Sequence, residues 1–317
     1  MNLLIPALAA ALLFAPRCLA ETAPAPASSN LSDTSQSAEF KKLDEADDAA
    51  QLEVNKWIAD NKRQRADGGG LSDDELERKI AERFKPIGLA YEEFLKKYPR
   101  DPKARLAYGN YLNDRQDERG AQVQWEKALE LDPSNPALYN NLAGRYGESG
   151  PVNKAFEYSS KAIELSPKEP VYYHNSADML YVLRRQAAGY YKISEQQVYL
   201  RCLGLYSNAL WLDPQNFAFA RDLAQTYYSL KPLPIDDALQ AWTNALAVAR
   251  QVDDRQDAYV HLARVKMLGG RFAEARSQLN IVTNESSLQA KTNLLKNIAL
   301  RETSAAQDAQ VPSAKQN

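Results

Sequence analysis

Lys127-Ala128-Leu129-Glu130-Leu131-Asp132-Pro133 returns as Lys161-Ala162-Ile163-Glu164-Leu165-Ser166-Pro167, and once more as Asn208-Ala209-Leu210-Trp211-Leu212-Asp213-Pro214. The first two copies stand 34 residues apart; the third follows after 47, one period with 13 residues inserted. A period near 34 is that of a helix–turn–helix repeat, a unit too small to bury its apolar face except against its neighbours. Counting by that period places repeat starts at Pro102, Pro136, Pro170, Phe217 and about Gln256. The reading is an all-α chain, an α-solenoid of about five such repeats over residues 102–283.

Side-chain size follows the same period. Small residues recur where helices must cross, Gly109 and Ala143 in first helices and Ala121, Ala155 and Ala238 in second helices. Tyr108, Trp125, Tyr139, Tyr146, Tyr173, Tyr206, Tyr227, Trp242 and Phe272 fill the space between units. Helices approach to about 8–10 Å only where side chains are small, with bulky neighbours in the grooves. The registers Tyr108-Gly109…Ala121…Trp125…Ala128…Pro133 and Tyr139…Leu142-Ala143…Tyr146…Ala155…Ala162…Pro167, with Tyr259…Leu262-Ala263…Gly270…Ala275 later on, resemble the tetratricopeptide repeat family, in its bacterial exported type. The fourth unit departs from the pattern at its end, with Arg250 where proline would stand.

The flanks read as follows. Leu3 to Ala15 is an apolar run too short to span a bilayer, and Cys18-Leu19-Ala20 offers small residues for cleavage before Glu21, so residues 1–20 are expected to be a signal peptide. Export to the periplasm or cell envelope follows, with no membrane span left after cleavage. Residues 21–36 are rich in Pro, Ala and Ser and read as a flexible linker, and 37–67 as an N-terminal helix ended by Gly68-Gly69-Gly70. Ser72-Asp73-Asp74-Glu75 spells a capping box. Pro86 is expected to split the following segment into helices over 73–84 and 87–97, a degenerate helix pair within 72–101. Residues 183–196 carry the insertion and end on a second capping box, Ser194-Glu195-Gln196-Gln197. Residues 284–302 supply Leu288, Leu294, Leu295 and Ile298 for a capping helix, and 303–317 read as a disordered tail.

Composition narrows the chemistry. A net charge of −2 gives no pull toward nucleic acid or anionic membrane. Two cysteines and two histidines leave little for a disulfide framework or a metal site, so no metal and no cofactor are expected. His174 and His261 sit repeats apart and cannot readily serve one nucleophile. Gly147-Glu148-Ser149-Gly150 joins two helices, whereas a hydrolase elbow joins strand to helix. Cys202 takes the slot held by Ala121 and Ala155, which calls for a small buried residue. Asp73-Asp74, Asp236-Asp237 and Asp253-Asp254 stand at helix starts, where carboxylates favour the positive end of the dipole. The reading is therefore not an enzyme; the alternative from a different class is a part of an envelope sugar-processing enzyme.

Binding is the richer prospect. The resemblance implies that first helices line a concave face that takes a protein or peptide. Asn110, Asn140, Asn141, His174, Asn175 and Arg221, with Asp222, then look toward the groove, and Asn141 and Asn175 fall on one stripe. A carboxamide both donates and accepts, so it can pair with an extended backbone whatever its side chains. The same residues could instead cap, solvate or pack between repeats. The family's clamp for a terminal carboxylate is matched at Asn110 and Asn141 only; its basic places hold Leu106, Val171 and Asn175. The insertion gathers Arg184, Arg185, Tyr190, Tyr191 and Lys192, a second surface better suited to an acidic protein than to nucleic acid. Tyr91-Glu92-Glu93-Phe94-Leu95-Lys96-Lys97-Tyr98-Pro99 resembles repeats of outer-membrane assembly proteins, which makes an envelope assembly factor the neighbouring reading.

Overall fold

The computed structural model describes residues 31–310, with side chains from residue 35 to 304. The expected signal peptide, residues 21–30 of the expected linker and residues 311–317 lie outside the described residues. Within them fourteen α-helices follow one another with no strand: α1 (Leu31–Ala66), α2 (Asp73–Lys97), α3 (Pro102–Asp114), α4 (Glu118–Leu131), α5 (Pro136–Ser149), α6 (Val152–Leu165), α7 (Pro170–Val182), α8 (Arg184–Tyr191), α9 (Glu195–Leu212), α10 (Phe217–Thr226), α11 (Ile235–Val248), α12 (Val252–Leu268), α13 (Phe272–Asn280) and α14 (Glu285–Gln310). The pairs α3/α4, α5/α6, α7/α9, α10/α11 and α12/α13 are the repeats.

Each start has a local cause. Asp101, Asn135, Glu169 and Asn216 cap α3, α5, α7 and α10 by accepting from the amides of Ala104, Ala137, Val171 and Phe219. Proline opens the first three of these helices, where its missing N–H costs nothing. A second periodic device locks each turn. Arg105 Nε, Tyr139 Oη and Tyr173 Oη donate to the carbonyls of Pro99, Pro133 and Pro167 at 3.0, 3.1 and 3.1 Å. The last carbonyls of one repeat are thus held by the first helix of the next.

The apolar side chains form clusters that straddle neighbouring units rather than one centre. Ala121, Trp125, Leu138, Leu142, Tyr146 and Ala155 knit α4, α5 and α6; Ala224, Ala238, Trp242, Ala258 and Val265 knit α10, α11 and α12. This is the quasi-one-dimensional core of a solenoid. The need for small residues is explicit at Gly109, where an added Cβ would lie 2.4 Å from the Trp125 indole.

Several boundaries differ from the sequence reading, each for a physical reason. No break occurs at Pro86: α2 runs through it, because Phe84, Ile87, Tyr91 and Phe94 form one buried stripe on both sides of the proline. Packing outweighs the roughly 3 kcal/mol that an interior proline costs. The first helix pair is accordingly α1 with α2, joined by a buried hydrogen bond from Tyr91 Oη to Asp47 Oδ2 at 2.8 Å. Residues 31–36, expected in the linker, already belong to α1, whose start is tied to the end of α2 by Gln36 Nε2 to Asp101 Oδ2 at 2.8 Å and Lys97 to Glu39 at 2.7 Å. The fifth repeat begins at Val252, ahead of Gln256, with Asp253 and Asp254 in its first turn. Buried Gln256 instead accepts from the amides of Thr283 and Asn284 at 2.7 and 3.3 Å. α14 buries Leu294 and Ile298 but leaves Leu288 exposed, and it continues past residue 303 to Gln310 through an alanine-containing stretch of good helix propensity. Both capping boxes, at Ser72 and Ser194, are formed.

Candidate functional site

The first helices lie side by side along one face, and their asparagines meet there. Trp125 Nε1, from α4, donates to Asn110 Oδ1 at 3.1 Å, and Asn141 Nδ2 donates to the same oxygen at 2.9 Å. Asn140 Nδ2 donates to Asn141 Oδ1 at 3.3 Å, and Asn175 Nδ2 to Asn140 Oδ1 at 3.0 Å. Four carboxamides from α3, α5 and α7 thus form one chain across three repeats. The step between the second and third repeats runs from Asn175 to Asn140, rather than along the Asn141–Asn175 stripe.

The chain is only half spent. Each amide group offers two donors and two acceptor lone pairs. Asn140 and Asn141 each use one of either kind on the ladder. Both are partly exposed, and with Asn175, Trp125, Ser176 and Met179 they line an open cleft of about 240 Å³. Gly144 lies in its wall, and a Cβ added there would meet nothing within 4 Å. Beside it Arg145 is buried and paired with Glu118 at 2.6 Å and with Glu148, which ties α5 to α4.

His174 and Arg221 belong to a second cluster, one repeat further on. His174 Nε2 lies 2.9 Å from Asp222 Oδ2, and its Nδ1 lies 3.4 Å from Asp178 Oδ2. Arg221 Nε donates to Asp222 Oδ1 at 2.9 Å, and Tyr206 Oη donates to Asp178 Oδ1. Burial pushes the Asp178 carboxyl up, against the opposing pull of His174 and Tyr206. Burial acts on Asp222 too, but the hydrogen bonds from His174 and Arg221 outweigh it and hold that carboxyl below its ordinary value. Sequence reasoning named His174, Arg221 and Asp222, read Tyr206 only as filling space between units, and missed Asp178. The i, i+4 spacing of His174 and Asp178 on α7 was the available signal.

Several insertion residues contact their own fold, while Arg185 and Tyr190 stay exposed. Arg184 and Arg185 reach Glu195 at 3.3 and 3.8 Å, Tyr190 and Tyr191 pack on Phe156 at 5.1 and 5.7 Å, and Lys192 closes α8 in a left-handed conformation. Cys202 is fully buried, donates to the Ala177 carbonyl at 3.5 Å, and has its thiol pushed up to about 12 by burial. Such a thiol carries almost no thiolate near neutrality. Gly147 to Gly150 closes α5, with Ser149 Oγ donating to the Arg145 carbonyl at 3.4 Å. The paired aspartates stand in the first turns of α2, α11 and α12.

No family model and no curated protein matches the sequence. Solved structures do match it. The C-terminal part of a TPR repeat-containing protein from Cytophaga hutchinsonii superposes with a TM-score of 0.52 at 14% identity, covering 81% of this chain and 98% of that one. PilW, a widely conserved type IV pilus biogenesis factor, gives 0.51 at 15% identity over 71% of this chain and 94% of its own. Yeast Tom70 gives 0.50 at 16% identity over 88% and 62% respectively. At these identities the likeness is one of architecture, and it agrees with the repeat period, the helix pairs and the straddling cores: the fold of this chain is the tetratricopeptide-repeat α-solenoid.

Proposed function

We propose that this protein is a scaffold that holds an extended segment of another protein along its first-helix face. The observation that carries this reading is the half-spent carboxamide chain over an open cleft. Asn140 and Asn141 keep one N–H and one lone pair each, the complement of a peptide N–H and C=O. Water meets these partly exposed groups in the free chain; a partner that covers the face must replace those bonds or leave each amide buried and unpaired at roughly 1–3 kcal/mol, which favours a peptide backbone over an apolar surface. Main-chain pairing makes the groove tolerant of sequence, while the adjoining wall of Met179, Trp125 and Gly144 selects side chains by shape.

The setting we propose is the cell envelope, with envelope assembly as the neighbouring role. The apolar run and small residues before Glu21 support export, and among similar folds PilW is a pilus biogenesis factor. Envelope material carrying a chain that begins at Glu21 supports this; an intact chain confined to the cytosol contradicts it.

The groove is tested by selecting ligands from a random-peptide display library on the immobilised full-length chain, then comparing affinities for Gly144→Leu. The new side chain grows into the cleft and meets no packed atom at its Cβ. Loss of binding without loss of melting temperature is the expected result. A library without a binder, or a binder indifferent to Gly144→Leu, contradicts the reading.

A further inference from the structure

We propose that His174, Asp178 and Asp222 form a divalent transition-metal site, of the kind that takes Zn²⁺, which clamps the third repeat to the fourth. The inference stands on the second cluster alone and survives if the carboxamide groove binds nothing.

The first argument is the donor set. One ligand-bearing atom from each of the three residues lies within 4.8 Å of the others. Each carboxylate is oriented by a separate donor, Tyr206 on Asp178 Oδ1 and Arg221 on Asp222 Oδ1, and each turns its remaining oxygen, Oδ2, to the same imidazole. Outer donors that fix one carboxylate oxygen and leave the other free are what a metal site requires. Zinc bonds of about 2.0–2.2 Å put neighbouring ligand atoms about 2.9–3.5 Å apart, depending on coordination geometry. The Nε2–Asp222 separation of 2.9 Å falls in that range. Asp178, with Oδ1 held by Tyr206, offers Oδ2 as the third protein ligand, and the remaining positions are open.

The second argument is charge. Two carboxylate oxygens, Asp178 Oδ2 and Asp222 Oδ2, converge on one imidazole from two helices, and a cation held between them offsets their repulsion. The Asp178 and Asp222 carboxylates repel one another across the site, and Arg221 pairs directly with Asp222 alone. Imidazole with carboxylate favours zinc and its neighbours in the transition series over magnesium, which prefers oxygen alone.

The chain has two histidines, which makes the test direct. Untagged full-length protein, labelled with ¹⁵N in its imidazoles and freed of metal by chelation, is titrated with Zn²⁺ and, separately, Mg²⁺. Uptake of one zinc equivalent is expected, with a shift of the His174 ring nitrogens, little change at His261 and no response to Mg²⁺. His174→Gln and Asp222→Asn should each weaken uptake by about tenfold or more. No zinc uptake overturns the proposal; uptake that persists in both variants, or shifts only His261, overturns it as well. Should either variant fail to fold, the imidazole spectrum of the unsubstituted chain decides.

Discussion

The Asn175 carboxamide donates to that of Asn140 at 3.0 Å, and this one bond joins the asparagines of the third repeat to those of the second. Because both side chains remain partly or largely exposed, the bond contributes little to stability and much to orientation. Replacing both Asn141 and Asn175 by alanine should leave the melting temperature within a few degrees while weakening the affinity of a selected peptide. Calorimetry and fluorescence anisotropy read the two effects separately.

Asn110 is the opposite case. Its oxygen is the acceptor for the Trp125 indole, and that ring is buried. Asn110→Ala strands the indole N–H and should cost about 1–3 kcal/mol in urea unfolding. A cost near zero would show that the indole finds another acceptor.

Gly109 and Gly144 stand in the first helices of successive repeats, one position out of register, so that one faces a helix crossing and the other the cleft. Gly109→Ala drives a Cβ to 2.4 Å from Trp125 and should destabilise by about 1–3 kcal/mol through overpacking. Gly144→Ala meets open space and should stabilise by up to about 1 kcal/mol, the helix-propensity gain over glycine. Equal effects at the two sites would contradict the packing described.

His261 sets a pH dependence. Its ring stacks on Trp242 at 4.1 Å beneath Tyr228, with Asp257, Arg264 and Arg221 around it, and burial, then Arg264 and Arg221, depress its pKa to about 3. The unfolded chain takes up a proton below about pH 6.5 that the folded chain refuses, so stability is lost as pH falls from 6.5 toward 3, at up to about 1.4 kcal/mol per pH unit. Asp257, pushed up by burial, acts in the opposite sense at lower pH, so the comparison belongs between about pH 5 and 7. His261→Phe should flatten the loss there, measured by urea unfolding at each pH; an unchanged slope would place the cause elsewhere.

Cys202 should resist iodoacetamide at pH 8 in the folded chain and react on denaturation, as mass spectrometry of the peptide that contains it will show. Rapid labelling of the native protein would contradict its burial.

The repeat architecture was legible in the sequence because a 34-residue period repeats its evidence: three copies of one phrase, prolines at helix starts and alanines at crossings agree. Pro86 was misread because the local rule on proline was applied without the stripe from Phe84 to Phe94, whose partner α1 lies across a loop of three glycines. The asparagines were assigned to the first helices, which is where they meet, yet their partners were not legible. Whether Asn175 meets Asn140 or Asn141 depends on the rotation between repeats, which a period does not encode. Asp178 escaped notice because the count of histidines, rather than the carboxylates brought beside them by stacking, governed the search for metal ligands.

The central claim is that the carboxamide ladder is a binding face. The side-chain amide resonances of Asn140, Asn141 and Asn175, followed by NMR while a selected peptide is added to the full-length chain, test it most directly. The account requires these amides to shift together and saturate with the binding isotherm. A peptide that binds while all three stay still would show that the face is structural and that recognition lies elsewhere.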